Sequence, residues 1–198
     1  MDKFSYAIGL GIGQNLLSMG AKGIEVDGFA QAIKDILEGN KTAISHAEAR
    51  DIVNKYFAEL EEKMNAASIE QGVQFLEENK KRPNVVTLPS GLQYEVINEG
   101  KVGTYAKATD QVKCHYEGTL IDGTLFDSSI KRGQPAVFGV NQVIPGWVEA
   151  LQLMPEGAKW KLYIPSDLAY GAQGAGEMIP PHSTLIFEVE LLEILSQK

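Results

Sequence analysis

An aromatic-rich group of residues in the second half of the chain has the composition of a binding pocket. Val143-Ile144 runs into the turn signal Pro145-Gly146, and Trp147 follows at the start of a short apolar helix. The turn places the Trp147 ring in the first turn of that helix, where a large side chain can form a pocket floor. The other candidate pocket residues lie before and after it: Tyr116, Phe126, Asp127, Ser128, Ser129, Tyr170, Met178, Ile179 and Phe187.

The residue types of this group limit the chemistry that it can perform. Asp127 is the main acid among Tyr, Phe, Trp, Val and Ile, so acid–base and covalent catalysis have no obvious residues. The site could bind an apolar ring, or act on a bond whose barrier depends on the polarity around it. The X-Pro amide is such a bond, because resonance makes its planar form dipolar and gives a barrier near ~20 kcal/mol. A dry pocket that holds the proline ring would favour the twisted amide, which is catalysis by differential binding.

Metal and thiol chemistry have little support in the sequence. The histidines His46, His115 and His182 are scattered, with no second ligand at helix or strand spacing, so we predict no metal site. Cys114 and His115 are adjacent on a predicted strand and face opposite sides, so they cannot form a nucleophile–base pair with each other. We predict that Cys114 packs in the core.

The glycine-rich stretch 171–177 resembles a phosphate-binding loop only in its glycine content. It lacks the Lys-Ser/Thr ending of a Walker loop, and it continues into Met178-Ile179-Pro180-Pro181 where such a loop would continue into a helix. We therefore predict no cofactor here, and a hairpin loop that folds over the pocket as a flap.

The charge of the chain argues against polyanionic partners. The 198 residues carry 18 Lys and Arg against 26 Asp and Glu, a formal net charge of −8 at pH 7. Without a basic face, nucleic acid and anionic membrane are poor partners, and no apolar run reaches transmembrane length. The single cysteine excludes an intramolecular disulfide. The single cysteine and the lack of an evident leader peptide predict a cytoplasmic protein, and a periplasmic protein is the alternative.

The pocket residues must be positioned by the part of the chain after Pro83, where the hydrophobic period changes. Apolar and polar residues then alternate in strand-like segments, separated by turn signals such as Asp122-Gly123. One short apolar helix, 147–153, interrupts the pattern. Residues 86–198 are thus predicted to form a mostly antiparallel sheet wrapped on a short helix, an α+β fold.

The first 85 residues have helical periodicity instead. Apolar residues four apart predict a helix over 3–19, and a second helix is predicted to begin at the N-cap Asp27 and end at Gly39. Gly9 and Gly13 lie inside the first helix, where a glycine costs roughly 1 kcal/mol. They favour the close approach of a partner backbone, the alternative being an amphipathic helix of poor propensity.

A third predicted helix is much longer. The capping box Ser45–Glu48 begins it, and no breaker other than Gly72 occurs before Pro83, which predicts about 35 residues and a length of roughly 50 Å. Its first half, up to Met64, carries a continuous apolar face. Further on the apolar residues thin out, so the second half is predicted to be a largely solvated stalk.

Two short helices and half of a long one form a small core for a monomer. We therefore predict that residues 1–64 form a homodimer with two projecting stalks, with a monomeric three-helix cap as the alternative. The predicted organisation is a helical dimerisation domain and stalk helix over 1–85, followed by a catalytic domain over 86–198.

Together, the pocket motifs resemble the FKBP-type peptidyl-prolyl cis-trans isomerase family. Over about residues 91–195 they occur in the family's order: Tyr116-Glu117-Gly118, Phe126-Asp127-Ser128-Ser129, Val143-Ile144-Pro145-Gly146-Trp147, Ala169-Tyr170-Gly171, Ile179-Pro180-Pro181 and Phe187-Glu188-Val189. The helical front resembles the dimeric bacterial branch typified by Mip, and the whole chain looks most like its cytoplasmic members. The resemblance implies an FKBP-like fold for residues 86–198.

This resemblance also implies roles for the pocket residues. Trp147 would form the floor, while the backbone N–H of Ile144 and the hydroxyl of Tyr170 would hold substrate carbonyls. Asp127 would orient the pocket rim, paired with Arg132, or would only hold its own loop. The implied walls and flap consist of Tyr116, Phe126, Val143, Ile144, Phe187, Met178 and Ile179.

Three positions differ from the small eukaryotic members that the sequence otherwise resembles. Ala136 stands where an aromatic wall residue often occurs, Gln142 where an acid often occurs, and the flap reads Ala175-Gly176-Glu177. The resemblance implies that isomerisation survives these changes, while peptide preference and macrolide affinity differ.

The pocket chemistry and the resemblance predict an enzyme. We expect a peptidyl-prolyl isomerase (a rotamase) that accelerates X-Pro isomerisation in unfolded or partly folded proteins, without covalent or metal catalysis, and that macrolides could inhibit. The alternative is a chaperone-like client-binding module in which isomerisation is incidental.

Overall fold

The computed structural model describes residues 2–195, which form long helices followed by an antiparallel sheet with one short helix. The helices are α1 Lys3–Ser18, α2 Val26–Glu38, α3 His46–Asn79 and α4 Pro145–Leu153. The strands are β1 Val85–Thr87, β2 Gln93–Asn98, β3 Lys101–Tyr105, β4 Gln111–Leu120, β5 Leu125–Ser128, β6 Ala136–Gly139, β7 Pro155–Glu156, β8 Lys159–Ile164 and β9 Leu185–Leu195. The predicted α+β architecture is confirmed.

The chain divides into two compact units. The first, here the helical unit, ends at Lys63, and the second, the sheet unit, begins at Met64. The sequence placed the boundary between domains at 85/86 instead. The difference arises because the C-terminal part of α3 packs on the sheet unit and so belongs to it.

Local hydrogen bonds set the ends of α2. The side chain of Glu25 accepts a hydrogen bond from the Gly28 N–H at 2.9 Å, so Glu25 is the N-cap. The predicted cap, Asp27, lies in the first helical turn, where its charge complements the positive end of the helix dipole. Gly39 ends α2 as predicted, with a left-handed φ of 69°.

The helical unit leaves most of its apolar side chains exposed. Of the apolar residues described in this unit, only Ala21 is buried, whereas Phe4, Leu17 and Leu37 are 73%, 72% and 81% exposed. Other exposed large side chains include Tyr6, Ile8, Leu10, Ile24, Val26, Ile36, Ile52, Val53 and Tyr56. One copy of this unit therefore lacks the closed core that a packed domain has.

Helix α3 runs for 34 residues, as the sequence predicted, and begins where the Glu48 N–H donates to Ser45 Oγ at 3.2 Å. Much of its second half is exposed, as predicted for a largely solvated stalk, but one face packs on the sheet unit, which the sequence did not predict. Gly72 and Asn79 are buried there, whereas Ile69 and Val73 are exposed. The apolar pattern misled the prediction because small and polar residues make many of these contacts, beside Phe75, whose ring lies 6.0 Å from that of Tyr163.

The sheet unit is built on a seven-stranded antiparallel sheet. Its strand order is β1-β2-β8-β9-β4-β5, with β6 also paired to β4, and β3 and β7 form a separate small pair. Burial alternates along β4 and β9, so that Val112, Cys114 and Tyr116 share the core with Leu185 and Phe187. This confirms the predicted period of two for these strands.

Helix α4 packs on the core side of the sheet. Its residues Trp147, Ala150 and Leu151 are buried, and Pro145 occupies the first turn, where a missing N–H costs nothing. Gly146 is required by close packing, because a Cβ there would lie 2.6 Å from Ile164 Cγ2 of β8. The helix is thereby held against the sheet with Trp147 facing inward.

No helix among residues 2–195 is long and apolar enough to cross a membrane.

Candidate active site

A pocket of about 600 Å³ opens between α4, the sheet and the loops around it. All nine residues predicted for the site line this pocket: Tyr116, Phe126, Asp127, Val143, Ile144, Trp147, Tyr170, Ile179 and Phe187. Segments far apart in sequence thus converge on one cavity of the size that ligand pockets usually have.

The floor is the indole ring of Trp147, which is only 4% exposed. Three rings stand nearly perpendicular to it, at centroid distances of 5.3 Å for Tyr116, 5.6 Å for Phe138 and 5.2 Å for Phe187. Edge-to-face contacts of this kind fix aromatic rings relative to one another. The floor is therefore a rigid apolar surface.

Two hydrogen-bond donors at the pocket have no partner among residues 2–195. The backbone N–H of Ile144 precedes the first turn of α4, and the hydroxyl belongs to Tyr170, a residue 41% exposed that also lines the pocket. Both groups are therefore available to the carbonyl oxygens of a bound peptide.

Asp127, Tyr116 and Arg132 form one hydrogen-bonded cluster at the rim. The Tyr116 hydroxyl donates to Asp127 Oδ2 at 2.6 Å, Arg132 Nη2 donates to the Tyr116 oxygen at 2.7 Å, and Arg132 Nη1 forms a close ion pair with Asp127 Oδ1. The guanidinium also lies 5.5 Å from the centre of the Tyr116 ring. The predicted pairing of Asp127 with Arg132 is confirmed.

The cluster sets the charge of its members. Burial alone would raise the pKa of Asp127, but hydrogen bonds from Tyr116 and Arg132 outweigh it and hold that pKa below its usual value of 3.8. Burial, and then the hydrogen bond to Asp127, raise the pKa of Tyr116 above 10.0. At neutral pH Asp127 is therefore a satisfied carboxylate and Tyr116 a neutral phenol.

The adjacent serines have a structural position. Ser129 is fully buried, and its Oγ accepts a hydrogen bond from the Tyr116 N–H at 2.8 Å. Ser128 Oγ donates to Glu117 at 3.1 Å and accepts from the Lys131 N–H at 3.1 Å. Neither lines the pocket, so these two serines, singled out from the sequence as pocket material, hold β4 and β5 together instead.

A hairpin loop covers one side of the pocket, as the flap prediction required. Ala175 and Ile179 pair across it, with the Ala175 N–H donating to the Ile179 carbonyl at 2.9 Å and the reverse bond at 3.2 Å. Gly174, at a φ of 62°, passes so close to the Ile179 carbonyl that no side chain would fit. Ile179 is 7% exposed and lines the pocket, while Met178 is half exposed at its edge.

Sequence reasoning missed Phe138, which also lines the pocket, and named Gln142, another lining residue, only as a difference from the small eukaryotic members. Phe138 pairs in register with Val112, a core residue of β4, and so faces inward and adds an aromatic wall near Ala136. The signal was the Ala136–Phe138 alternation, but it becomes readable only when the pairing of β6 with β4 is known.

Cys114 lies in the core, as predicted, and burial raises the pKa of its thiol to about 12. It therefore offers no nucleophile at neutral pH. Among residues 2–195 no group of three or more His, Cys, Asp or Glu is arranged to hold a metal ion.

Two family models together match almost the entire chain. One, described as "FKBP-type peptidyl-prolyl cis-trans isomerase", matches residues 103–192. The other, described as "Domain amino terminal to FKBP-type peptidyl-prolyl isomerase", matches residues 1–96.

Similar proteins agree with these matches. The FKBP-type 22 kDa peptidyl-prolyl cis-trans isomerase of Escherichia coli (strain K12) is 50% identical over 96% of this chain and 94% of its own length. The outer membrane protein MIP of Legionella longbeachae is 42% identical over 98% of this chain and 85% of its own. The crystal structure of FkpA from Escherichia coli matches with a TM-score of 0.80 and 34% identity, over 98% of this chain and 95% of that one.

Proposed function

We propose that this chain, which belongs to the FKBP-type peptidyl-prolyl cis-trans isomerase family, isomerises X-Pro bonds in the aromatic pocket of the sheet unit. The observation that carries the proposal is the convergence of aromatic rings on the Trp147 floor, beside two unpaired hydrogen-bond donors. This arrangement supports a grip on a proline ring and on the peptide carbonyls next to it.

The first step is burial of the proline ring against Trp147. The ring would sit on the indole, between Tyr116 and Phe187, and displace water from the pocket. The planar X-Pro amide carries charge separation from resonance, and the twisted amide carries less. An apolar, dry surrounding therefore destabilises the planar form relative to the twisted one and lowers the barrier.

The second step is alignment of the chain on either side of the amide. The Ile144 N–H and the Tyr170 hydroxyl would each donate a hydrogen bond to a peptide carbonyl oxygen, which fixes one part of the substrate while the other rotates. Asp127 takes no proton in this mechanism. Its ion pair with Arg132 instead keeps the Tyr116 ring in place at the pocket wall.

Replacement of the floor tests this assignment. Trp147→Ala should lower kcat/KM on an X-Pro peptide about 100-fold, since loss of the ring removes apolar contact and admits water. Tyr170→Phe should lower it about three- to tenfold, because one hydrogen bond is lost. Trp160→Phe is the matched control, because Trp160 is stacked on Tyr94 at 4.2 Å, away from the pocket. A Trp147→Ala protein with the wild-type rate would refute the pocket assignment.

The second part of the proposal is a homodimer formed through residues 1–64. The exposed apolar side chains of the helical unit support it, as does a groove of about 710 Å³ along α1 that is lined by Gly9, Ile12, Gly13, Leu17 and Phe29 among others. An apolar surface of this kind is unusual on a monomer and is covered when two copies associate.

The glycines of α1 point to the same conclusion. A Cβ on Gly9 or Gly13 would meet nothing within 4 Å in this chain, so its own fold does not require either glycine. Both line the groove, four residues apart, and would let a second backbone approach closely. This favours the sequence hypothesis of a partner chain over that of an amphipathic helix with poor propensity.

A dimer would give two linked pockets to one unfolded substrate chain. When one pocket has bound the substrate chain, the second pocket binds the same chain at a high effective concentration. Binding to unfolded proteins therefore improves without any new contact. Slow X-Pro steps, on the order of 10–100 s without catalysis, would be the steps accelerated. The substrates are thus proline-containing unfolded or partly folded proteins.

The exposed apolar surface of the helical unit also favours a second candidate, a chaperone-like client-binding module in which isomerisation is incidental. Suppression of aggregation by Trp147→Ala separates the two. If the variant loses peptide isomerisation and keeps full protection of an unfolded client, the binding role stands alone. If both activities fall together, the enzyme reading prevails.

Location and inhibition complete the proposal. We place the protein in the cytoplasm, a reducing compartment compatible with its single buried, unpaired cysteine, and fractionation of cells against the periplasmic alternative tests this. The apolar pocket would also accept a macrolide. Competition by a macrolide in the peptide assay tests that expectation.

A further inference from the structure

The C-terminal part of α3 contacts the loop that carries a pocket wall. Ser68 Oγ donates a hydrogen bond to the Pro181 carbonyl at 3.1 Å, across 113 residues of sequence. One turn later Gly72 is buried against Thr184, and a Cβ at Gly72 would overlap Thr184 Oγ1 and lie 3.4 Å from Thr184 Cβ. The helix therefore contacts both ends of the short segment 181–184.

We propose that Ser68 and Gly72 are positioning residues for the substrate pocket: they hold the segment 181–184, and through it the pocket residue Ile179. The proposal rests on the proposed function, because it takes the Trp147 pocket as the active site. It adds α3, which does not line that pocket, to the elements that set its shape.

The connection from α3 to the pocket is short and stiff. Pro180 and Pro181 follow Ile179 directly, and their rings fix φ at both positions. Ser183 Oγ donates to the Pro180 carbonyl at 2.7 Å. A displacement of Pro181 where it contacts the helix would therefore move Ile179 by a similar amount.

The same segment is tied to the other side of the pocket. The His182 N–H donates to the Gly171 carbonyl at 2.8 Å, next to Tyr170. His182 has a left-handed φ of 58°, a conformation that a non-glycine residue keeps only when its surroundings hold it. The hydrogen bond from Ser68 to the Pro181 carbonyl lies one residue before His182 and helps to keep His182 in this conformation.

The end of α3 is anchored independently, which gives the contact a fixed base. Gln93 of β2 is buried, donates to the Leu76 carbonyl at 2.9 Å and accepts from Asn79 Nδ2 at 2.9 Å. Arg82 then donates to Asn79 Oδ1 at 3.0 Å and to the Tyr163 hydroxyl at 2.8 Å. Buried amides that satisfy each other in this way specify one docked position, because separating them leaves polar groups without partners.

The hydroxyl of Ser68 is the sharpest test. In the full-length protein, Ser68→Ala should lower kcat/KM on an X-Pro peptide about three- to tenfold, mainly through KM, because one hydrogen bond that holds the flap side of the pocket is lost. Ser68→Thr keeps a hydroxyl and should restore the rate. Gln71→Ala, an exposed position on the same helix, is the matched control and should leave kcat/KM unchanged.

A second pair of variants tests the close contact. Gly72→Ala should raise helix propensity yet lower kcat/KM, since the new Cβ pushes Thr184 away. Adding Thr184→Ala removes the overlapping oxygen and should bring the rate back toward wild type. If the contact between Gly72 and Thr184 only stabilised the fold, shortening Thr184 to alanine would not restore KM.

Thermal unfolding decides between positioning and stability. The proposal expects Ser68→Ala to melt within about 3 °C of wild type, the shift expected from at most one weakened bond. It is overturned if Ser68→Ala and Gly72→Ala keep the wild-type kcat/KM and KM, or if their losses vanish at temperatures well below unfolding. Trp147→Ala in the same assay separates the claims: if it is impaired while Ser68→Ala is not, only the positioning role fails, and if it is fully active, the pocket assignment itself fails.

Discussion

The helical unit and the sheet unit differ in how far they bury their apolar residues. The sheet unit closes a core around Leu162, Leu185 and Leu191, all with no exposed surface, whereas the helical unit buries Ala21 and exposes Phe4 and Leu17. A unit that closes its own core can hold a rigid pocket, as catalysis requires. A unit that does not do so is suited to the proposed association, in which a second copy would complete its core.

Among variants of the helical unit, the largest expected effect is one that separates association from chemistry. Gly13→Leu places a bulky side chain in the α1 groove, where this chain offers no clash but a partner backbone would. We expect the variant to be monomeric in sedimentation, to lose about tenfold or more in rate on an unfolded protein substrate, and to keep its rate on a short peptide.

Gly11→Leu is the matched control for this variant. Gly11 lies in the same helix, is equally free of contacts, and does not line the groove. It should remain dimeric with full activity on both substrates. If Gly13→Leu also stays dimeric, the helical unit does not associate through this groove. Association through the groove would then not explain why this unit exposes its apolar residues.

A smaller effect should appear in thermal unfolding. Trp147 and Trp160 both lie in the sheet unit, so tryptophan fluorescence follows that unit alone, while most of the far-ultraviolet helical signal comes from the helical unit, that is, from α1, α2 and the part of α3 before Met64. Mass action makes the stability of an associated unit depend on concentration. The helical transition should rise by a few degrees for each tenfold increase in concentration, and the fluorescence transition should not. Identical concentration dependence of both signals would mean that the units unfold as one body.

The sequence predicted more of the sheet unit than of α3. The alternation in β4 and β9 is a local signal that predicts the strands, and the pocket residues were predicted from aromatic motifs and from the family resemblance that these motifs carry. The docking of α3 could not, because Ser68, Gly72 and Asn79 are not apolar and resemble a solvated face. Gln93 of the sheet was equally hard to predict. The alternation of β2 makes it an outward residue, yet α3 covers and buries it.

Phe138 illustrates a different limit. Its inward direction follows from its pairing with Val112, and that pairing joins strands separated by the whole β5 hairpin. Periodicity gives the two faces of a strand but not its neighbour, so pocket walls contributed across a sheet need the register.

The smallest expected effects concern pH. The pKa of Asp127 is lowered and that of Tyr116 is raised, so neither changes charge near neutrality. Peptide isomerisation should therefore be flat between about pH 5 and 9. A bell-shaped profile in that range would reveal an acid–base group at the pocket and contradict the mechanism.

Acid unfolding gives the sign of the Asp127 contribution. Because its folded pKa lies below 3.8, the carboxylate stabilises the fold above its unfolded pKa, and this stabilisation is lost as pH falls through the lower, folded value. Asp127→Asn should thus flatten the decline in stability of the sheet unit below about pH 4. The change should be small, since the Asp127 side chain is 40% exposed and solvent screens the ion pair.

The most direct test of the account compares Trp147→Ala with Gly13→Leu on one short X-Pro peptide, in a protease-free isomerisation assay. The account predicts that the Trp147 variant loses about 100-fold in kcat/KM while the Gly13 variant matches wild type, because the chemistry resides in the sheet unit. Equal losses in the two variants, or full activity in Trp147→Ala, would contradict it.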